Sequence, residues 1–76
     1  MDITEFIEKF AEQFDDIDIS ILSPDTNFRE LDEWSSLIAL SVIAMADEEY
    51  EVELSGKELR DAQTIQDLFD VISSKK

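Results

Sequence analysis

Ser36-Leu37-Ile38-Ala39-Leu40-Ser41-Val42-Ile43-Ala44-Met45-Ala46-Asp47-Glu48-Glu49-Tyr50 decides how this chain folds. No Pro or Gly interrupts it, and apolar residues fall on most sides of a 3.6-residue period. A helix is predicted from near Ser36 to about Tyr50. A helix apolar on most sides is either central or presents an apolar face to a partner. A small bundle cannot bury its whole circumference, so some of Ile38, Ala44 and Met45 are expected to be exposed. Asp47, Glu48 and Glu49 crowd the last turn, where the helix dipole favours cations.

Upstream, Ile17, Ile19 and Ile21 alternate with Asp18 and Ser20. By period alone that is a short strand, but no second strand stands nearby to pair with it. Asp15 to Ser35 is therefore read as a long ordered loop whose apolar residues dip into the core. Ser23-Pro24-Asp25-Thr26-Asn27 is turn chemistry, and Phe28 and Leu31 are its anchors. A loop this long in a compact domain points to function. Before it, Ile3, Phe6, Ile7, Phe10 and Phe14 mark one face of a helix over Asp2 to Phe14. Asp2 and Glu5 supply a capping-box-like start. After the central helix, Ser55 and Glu58 form a capping box that opens a short helix, Gly56 to Asp61. Thr64 and Asp67 open a last one, with Ile65, Leu68, Phe69 and Ile72 on one face to about Ser73. The predicted fold class is all-α, a small bundle of four helices, with residues 1–76 as one domain. Lys75-Lys76 is read as a solvated tail.

Composition narrows the chemistry. The chain has 76 residues, twenty acidic and six basic side chains, and no Cys or His. Disulfides, thiolate zinc sites, Cys nucleophiles and Ser-His-Asp sites are thus excluded within it. A net charge of -14 disfavours nucleic acid and anionic lipid and favours basic partner surfaces. Self-repulsion predicts that salt or divalent cations raise the melting temperature; a melting point flat against ionic strength would contradict this. The start Met1-Asp2-Ile3-Thr4-Glu5 lacks a basic signal-peptide region, and no apolar run is long enough for membrane insertion, so the cytoplasm is expected. Asp47, Glu49, Glu51 and Glu58 echo a calcium-loop template, but Val52 stands where the loop needs Gly. No specific metal site is expected. Paired carboxylates as acid and base lack a pocket to raise one pKa, and solvated surface acids are the better account.

Ser35 and Ser36 stand where the long loop meets the apolar helix. One of them is expected to be the N-cap. A phosphate attached there meets unpaired backbone N–H groups and the positive end of the dipole. With no base available, such a serine does not activate itself.

Trp34-Ser35-Ser36-Leu37, preceded by Phe28, Leu31 and Asp32, resembles the acyl carrier protein motif, Asp-Ser-Leu at the start of a long second helix. The resemblance runs on through Asp47-Glu48-Glu49-Tyr50-Glu51-Val52-Glu53-Leu54 and Thr64-Ile65-Gln66-Asp67-Leu68. It implies a carrier, not an enzyme, with 4'-phosphopantetheine attached at Ser36, followed by Leu37 as in the motif; Ser35 is the less favoured site. Acyl groups would ride as thioesters, in fatty-acid, polyketide or other specialised biosynthesis. Ser35 replaces the usual Asp, and Ile38 and Ser41 replace frequent acids, which points toward a specialised pathway. The implied partners are a phosphopantetheinyl transferase and an acyl-loading ligase or ketosynthase-type enzymes with basic surfaces. They would dock on Leu37, Ile38, Ser41, Met45, Asp47 and Glu48 of a monomer. Phe6, Phe10, Leu40, Ile43 and Phe69 would line a shelter for the acyl chain. The alternatives are an aminoacyl or peptidyl carrier loaded by an adenylating ligase, and an acidic helical adaptor without a prosthetic group.

Overall fold

Asp2 starts the first helix from extended backbone, its carboxylate accepting the Thr4 N–H at 2.9 Å. A computed structural model describes residues 2–75. The helices are α1 (Ile3–Ala11), α2 (Ser36–Tyr50), α3 (Gly56–Asp61) and α4 (Ile65–Lys75). Only the Asp2 half of the expected cap on α1 is made. Regular α1 also stops three residues before Phe14, because Gln13 and Phe14 donate instead to carbonyls three back, Phe10 and Ala11. Phe14 keeps its place in the core all the same. Apolar spacing marks which side chains go inward and not where the hydrogen-bond ladder ends.

α1 carries an aromatic spine into the bundle. Phe6 lies 5.9 Å from Tyr50 of α2 and 5.6 Å from Phe69 of α4, ring centre to ring centre. Phe10 meets Phe28 of the long loop edge-on at 5.7 Å. Val42, Ala46, Ile65, Leu68 and Ile72 close the core.

The long loop is ordered by two short 3₁₀ turns, Ile19–Ile21 and Phe28–Glu30, capped by Asp18 and Asn27. Asp18 accepts both the N–H and the hydroxyl of Ser20, and these bonds hold its carboxyl below the usual range. The turn corrects one expectation: Ile19 and Ile21 are 45% and 53% exposed, and Leu22 is buried in their stead. A three-residue turn rotates neighbours away from the alternation that the spacing suggested. Phe28 is buried and Leu31 half-buried, as anchors should be. The loop also serves α4: Thr26 and Pro24 carbonyls accept the Ile65 and Gln66 N–H groups at 3.1 and 2.9 Å. Those are two of the donors that any helix start leaves unpaired. Thr64 and Asp67 cap the same start reciprocally.

Both ends of the Val52 to Leu54 connection are closed locally. Glu51 ends α2 in the left-handed region, φ 56°, donating its N–H to the Asp47 carbonyl at 3.0 Å, while the Val52 N–H reaches the Ala46 carbonyl at 3.2 Å. A side chain with a Cβ is disfavoured there. Glu51→Gly should therefore stabilise the fold by about 1 kcal/mol. Glu51→Gln, which removes the charge and keeps the Cβ, is the control. A denaturation midpoint raised equally by both would assign the gain to charge.

At α3 the Ser55–Glu58 capping box forms with both bonds, at 3.1 and 3.0 Å. Glu58 does more than cap. Lys75, at the end of α4, donates to its carboxylate at 2.6 Å and to the Glu53 carbonyl at 3.1 Å. Lys75 is thus a clasp between the last helix and the α2–α3 connection, not a solvated tail; Lys76 lies outside the described residues. The Lys75 ammonium and the Ser55 N–H push the Glu58 carboxyl down to about 2. A carboxylate with a lowered folded pKa stabilises above its unfolded value, near 4.5, and loses that contribution as pH falls toward about 2. Glu58→Gln should melt below the wild type at neutral pH, the gap closing across that window. A gap constant with pH would contradict the clasp.

Candidate functional site

The loop delivers the serine pair through Trp34. Its ring meets Phe28 edge-on at 4.8 Å and stacks near-parallel with Phe10 at 6.3 Å. The Trp34 backbone N–H donates to the Leu31 carbonyl at 3.0 Å. One residue on, Ser35 is extended, φ -151° and ψ 170°, and its hydroxyl accepts the Ile38 N–H at 3.2 Å. Its carbonyl takes the Ala39 N–H at 2.9 Å. Ser35 is the N-cap of α2. Serine and aspartate serve about equally well in that role, so Ser in place of the motif's Asp leaves the helix start intact.

Ser36 is the first helical residue. It is exposed, and its hydroxyl makes no hydrogen bond among the described residues. The two hydroxyls are thereby divided: one holds the helix, the other is presented to solvent. A negative group on Ser36 would sit at the positive end of α2. No base is at hand to activate it, since the chain lacks His and no carboxylate lines the adjoining groove.

That groove, about 540 Å³, lies between α2, α3 and the loop. Ala39, Leu40 and Ile43 form one wall, Gly56 and Leu59 the other, and Trp34 its end beside Ser35 and Ser36. Arg29 and Arg60 complete the rim. The Arg29 Nη1 donates to the Arg60 carbonyl, tying loop to helix.

α2 sorts its residues differently from expectation. Leu37 and Leu40 are 73% and 63% exposed. With Ala44, Asp47 and Glu48 they make one outward stripe, apolar at the serine end and acidic at the other. Of the residues expected to dock a partner, Leu37, Asp47 and Glu48 are thus exposed. Ile38 and Ser41 are half-buried, and Met45 is buried, facing α1 and not solvent. Leu40, expected inside, is outside, while Phe6 and Phe10 are core and Ile43 and Phe69 half-buried. A helix apolar all round carries no signal of which stripe its neighbours cover. At the far end Lys9 pairs with Glu49 at 2.8 Å, and that bond raises the Lys9 pKa. Asp47 and Glu48 have no ion-pair partner among the described residues. Arg29 and Arg60 carry no motif in the sequence; the one signal there is that they are its only arginines.

A family model described as phosphopantetheine attachment site matches residues 4–72. Among solved structures, the chain is similar to the solution NMR structure of a holo acyl carrier protein from Geobacter metallireducens. The two are 26% identical, with a TM-score of 0.78, over 96% of this chain and 83% of that one. No curated protein matches. With the family matched over nearly the whole chain and the bundle shared with a holo carrier, this protein belongs to the acyl carrier proteins, which bear 4'-phosphopantetheine and carry rather than catalyse.

Proposed function

We propose that residues 1–76 form one carrier domain, in the cytoplasm, whose arm is attached at Ser36 and whose cargo is an acyl group held as a thioester. The observation that carries the site is the division of labour at α2: Ser35 caps, and Ser36 stands exposed with an unengaged hydroxyl. The residues fit the prosthetic group, since an exposed hydroxyl at a helix start adjoins an open groove that no carboxylate lines. Bound there, the group supplies the thiol that this Cys-free chain lacks.

The remaining roles belong to the chain itself. Trp34, wedged against Phe28 and Phe10, holds the serine at a fixed place on the surface. Leu40, Ile43 and Leu59 offer the groove an apolar wall against which an acyl chain is shielded from water. Leu37, Leu40 and Ala44 give an enzyme apolar contacts beside the serine. Asp47 and Glu48 steer basic enzyme surfaces toward that stripe and speed encounter without tight binding. The neutral, apolar serine end of α2 favours specialised acyl biosynthesis, with a transferase and a ligase or ketosynthase-type enzyme as partners.

Incubation with a phosphopantetheinyl transferase and coenzyme A tests the reading. The intact mass should rise by one arm. No gain with several transferases would overturn it.

A further inference from the structure

Three of the described lysines are neutralised within the fold: Lys9 by Glu49, Lys57 by Asp61 and Lys75 by Glu58. Neither arginine has a carboxylate partner among the described residues, although the chain holds twenty acids. Both arginines line the groove that opens beside Ser36. Among the described residues, the groove has both cations in its lining and no carboxylate. The Arg29 guanidinium is tied down. Arg29 is held by the Arg60 carbonyl. The exposed Arg60 side chain runs along α3 toward Gly56, its Nη1 an ordinary contact distance, 3.9 Å, from where a Cβ on Gly56 would stand. Guanidinium groups suit phosphate, because their planar N–H forks match its oxygens two at a time.

We infer that Arg29 and Arg60 form an anion clamp for the phosphodiester of the arm, laying the arm into the α2–α3 groove. The inference rests on attachment at Ser36. It commits to the phosphodiester because that anion is tethered to a residue of the same groove. A carboxylate on the cargo would have to fold back to reach it.

The sign of one measurement decides. An added negative charge on a chain at -14 should lower its melting temperature by self-repulsion. A clamped phosphodiester reverses that sign. The melting temperatures of apo and holo protein are compared at low and high salt, with conversion confirmed by intact mass. At low salt the holo form should melt about 3 °C above the apo form, the rise shrinking as salt screens the pair. In an R29Q/R60Q variant that rise should be lost. Comparing apo with holo inside each variant removes any effect of the substitutions on folding and leaves the α2 dipole equal on both sides, so a rise kept in R29Q/R60Q would overturn the clamp. A fall on wild-type loading would overturn the clamp, and so would a rise indifferent to salt, which would belong to packing of the arm. A rise only after loading an acyl group with a free carboxylate would overturn it in favour of the cargo. Absence of any mass gain would strike the attachment reading itself, a separate result.

Discussion

Ser36→Ala should abolish attachment of the arm, with no mass gain under conditions that fully convert the wild type. Ser35→Ala should still load. The two hydroxyls are adjacent, yet the fold gives them different work. The Ser35 Oγ accepts the Ile38 N–H, and its backbone is extended, as a cap requires. Removing that bond should cost about 1 kcal/mol of stability. Ser35→Asp should restore the cap, adding a charge that the start of α2 favours. Ser36 makes no such bond, so Ser36→Ala should melt with the wild type while losing all function. The pair of variants thus crosses: one loses loading and keeps stability, the other the reverse. Mass gain in Ser36→Ala with none in Ser35→Ala would move the site to the cap. Intact mass and thermal melting read both quantities from the same samples.

Phe28→Ala should have the largest effect on the fold. Phe28 is fully buried, edge-on to both Trp34 and Phe10, and sits in a loop rather than a helix. Truncating a core phenylalanine costs about 3–5 kcal/mol. A domain of this length has a total stability of about 4–11 kcal/mol. The variant should be largely unfolded well below the wild-type melting temperature. Its solvent-exposed counterparts are Ile19→Ala and Ile21→Ala in the same loop, which should stay within about 0.5 kcal/mol of wild type. Trp34, the only tryptophan, reports the transition by its fluorescence. If Phe28→Ala melted like Ile21→Ala, the loop would not be anchored through its aromatic contacts. The loop's hold on the serine pair would then need another cause.

Charge links these results. The carboxylates at the far end of α2 are left outward and mostly unpaired, while the groove at the serine end has none. On the proposed reading, partners drawn to Asp47 and Glu48 would arrive along the axis of α2, with Leu37 and Leu40 beneath them at the serine. Tight binding is not needed, because steering acts on the rate of encounter.

The parts legible in the sequence alone are those settled within four residues along the chain. Ser55 with Glu58, Thr64 with Asp67, and Asp2 with Thr4 close hydrogen bonds between near neighbours, so the starts of α1, α3 and α4 could be read directly. The place of α2 and the serine at its head were legible for the same reason. Tertiary structure decided what depends on elements far apart in the chain. Whether Leu40 or Met45 faces water depends on which stripe of α2 is covered, and in a helix apolar all round only the packed neighbours choose. Lys75 gains its carboxylate from Glu58, and Arg29 meets Arg60 across a groove that exists only once α3 is docked. Spacing can name a cap or a face; a clasp or a groove forms only when the long-range contacts of the core bring its two sides together.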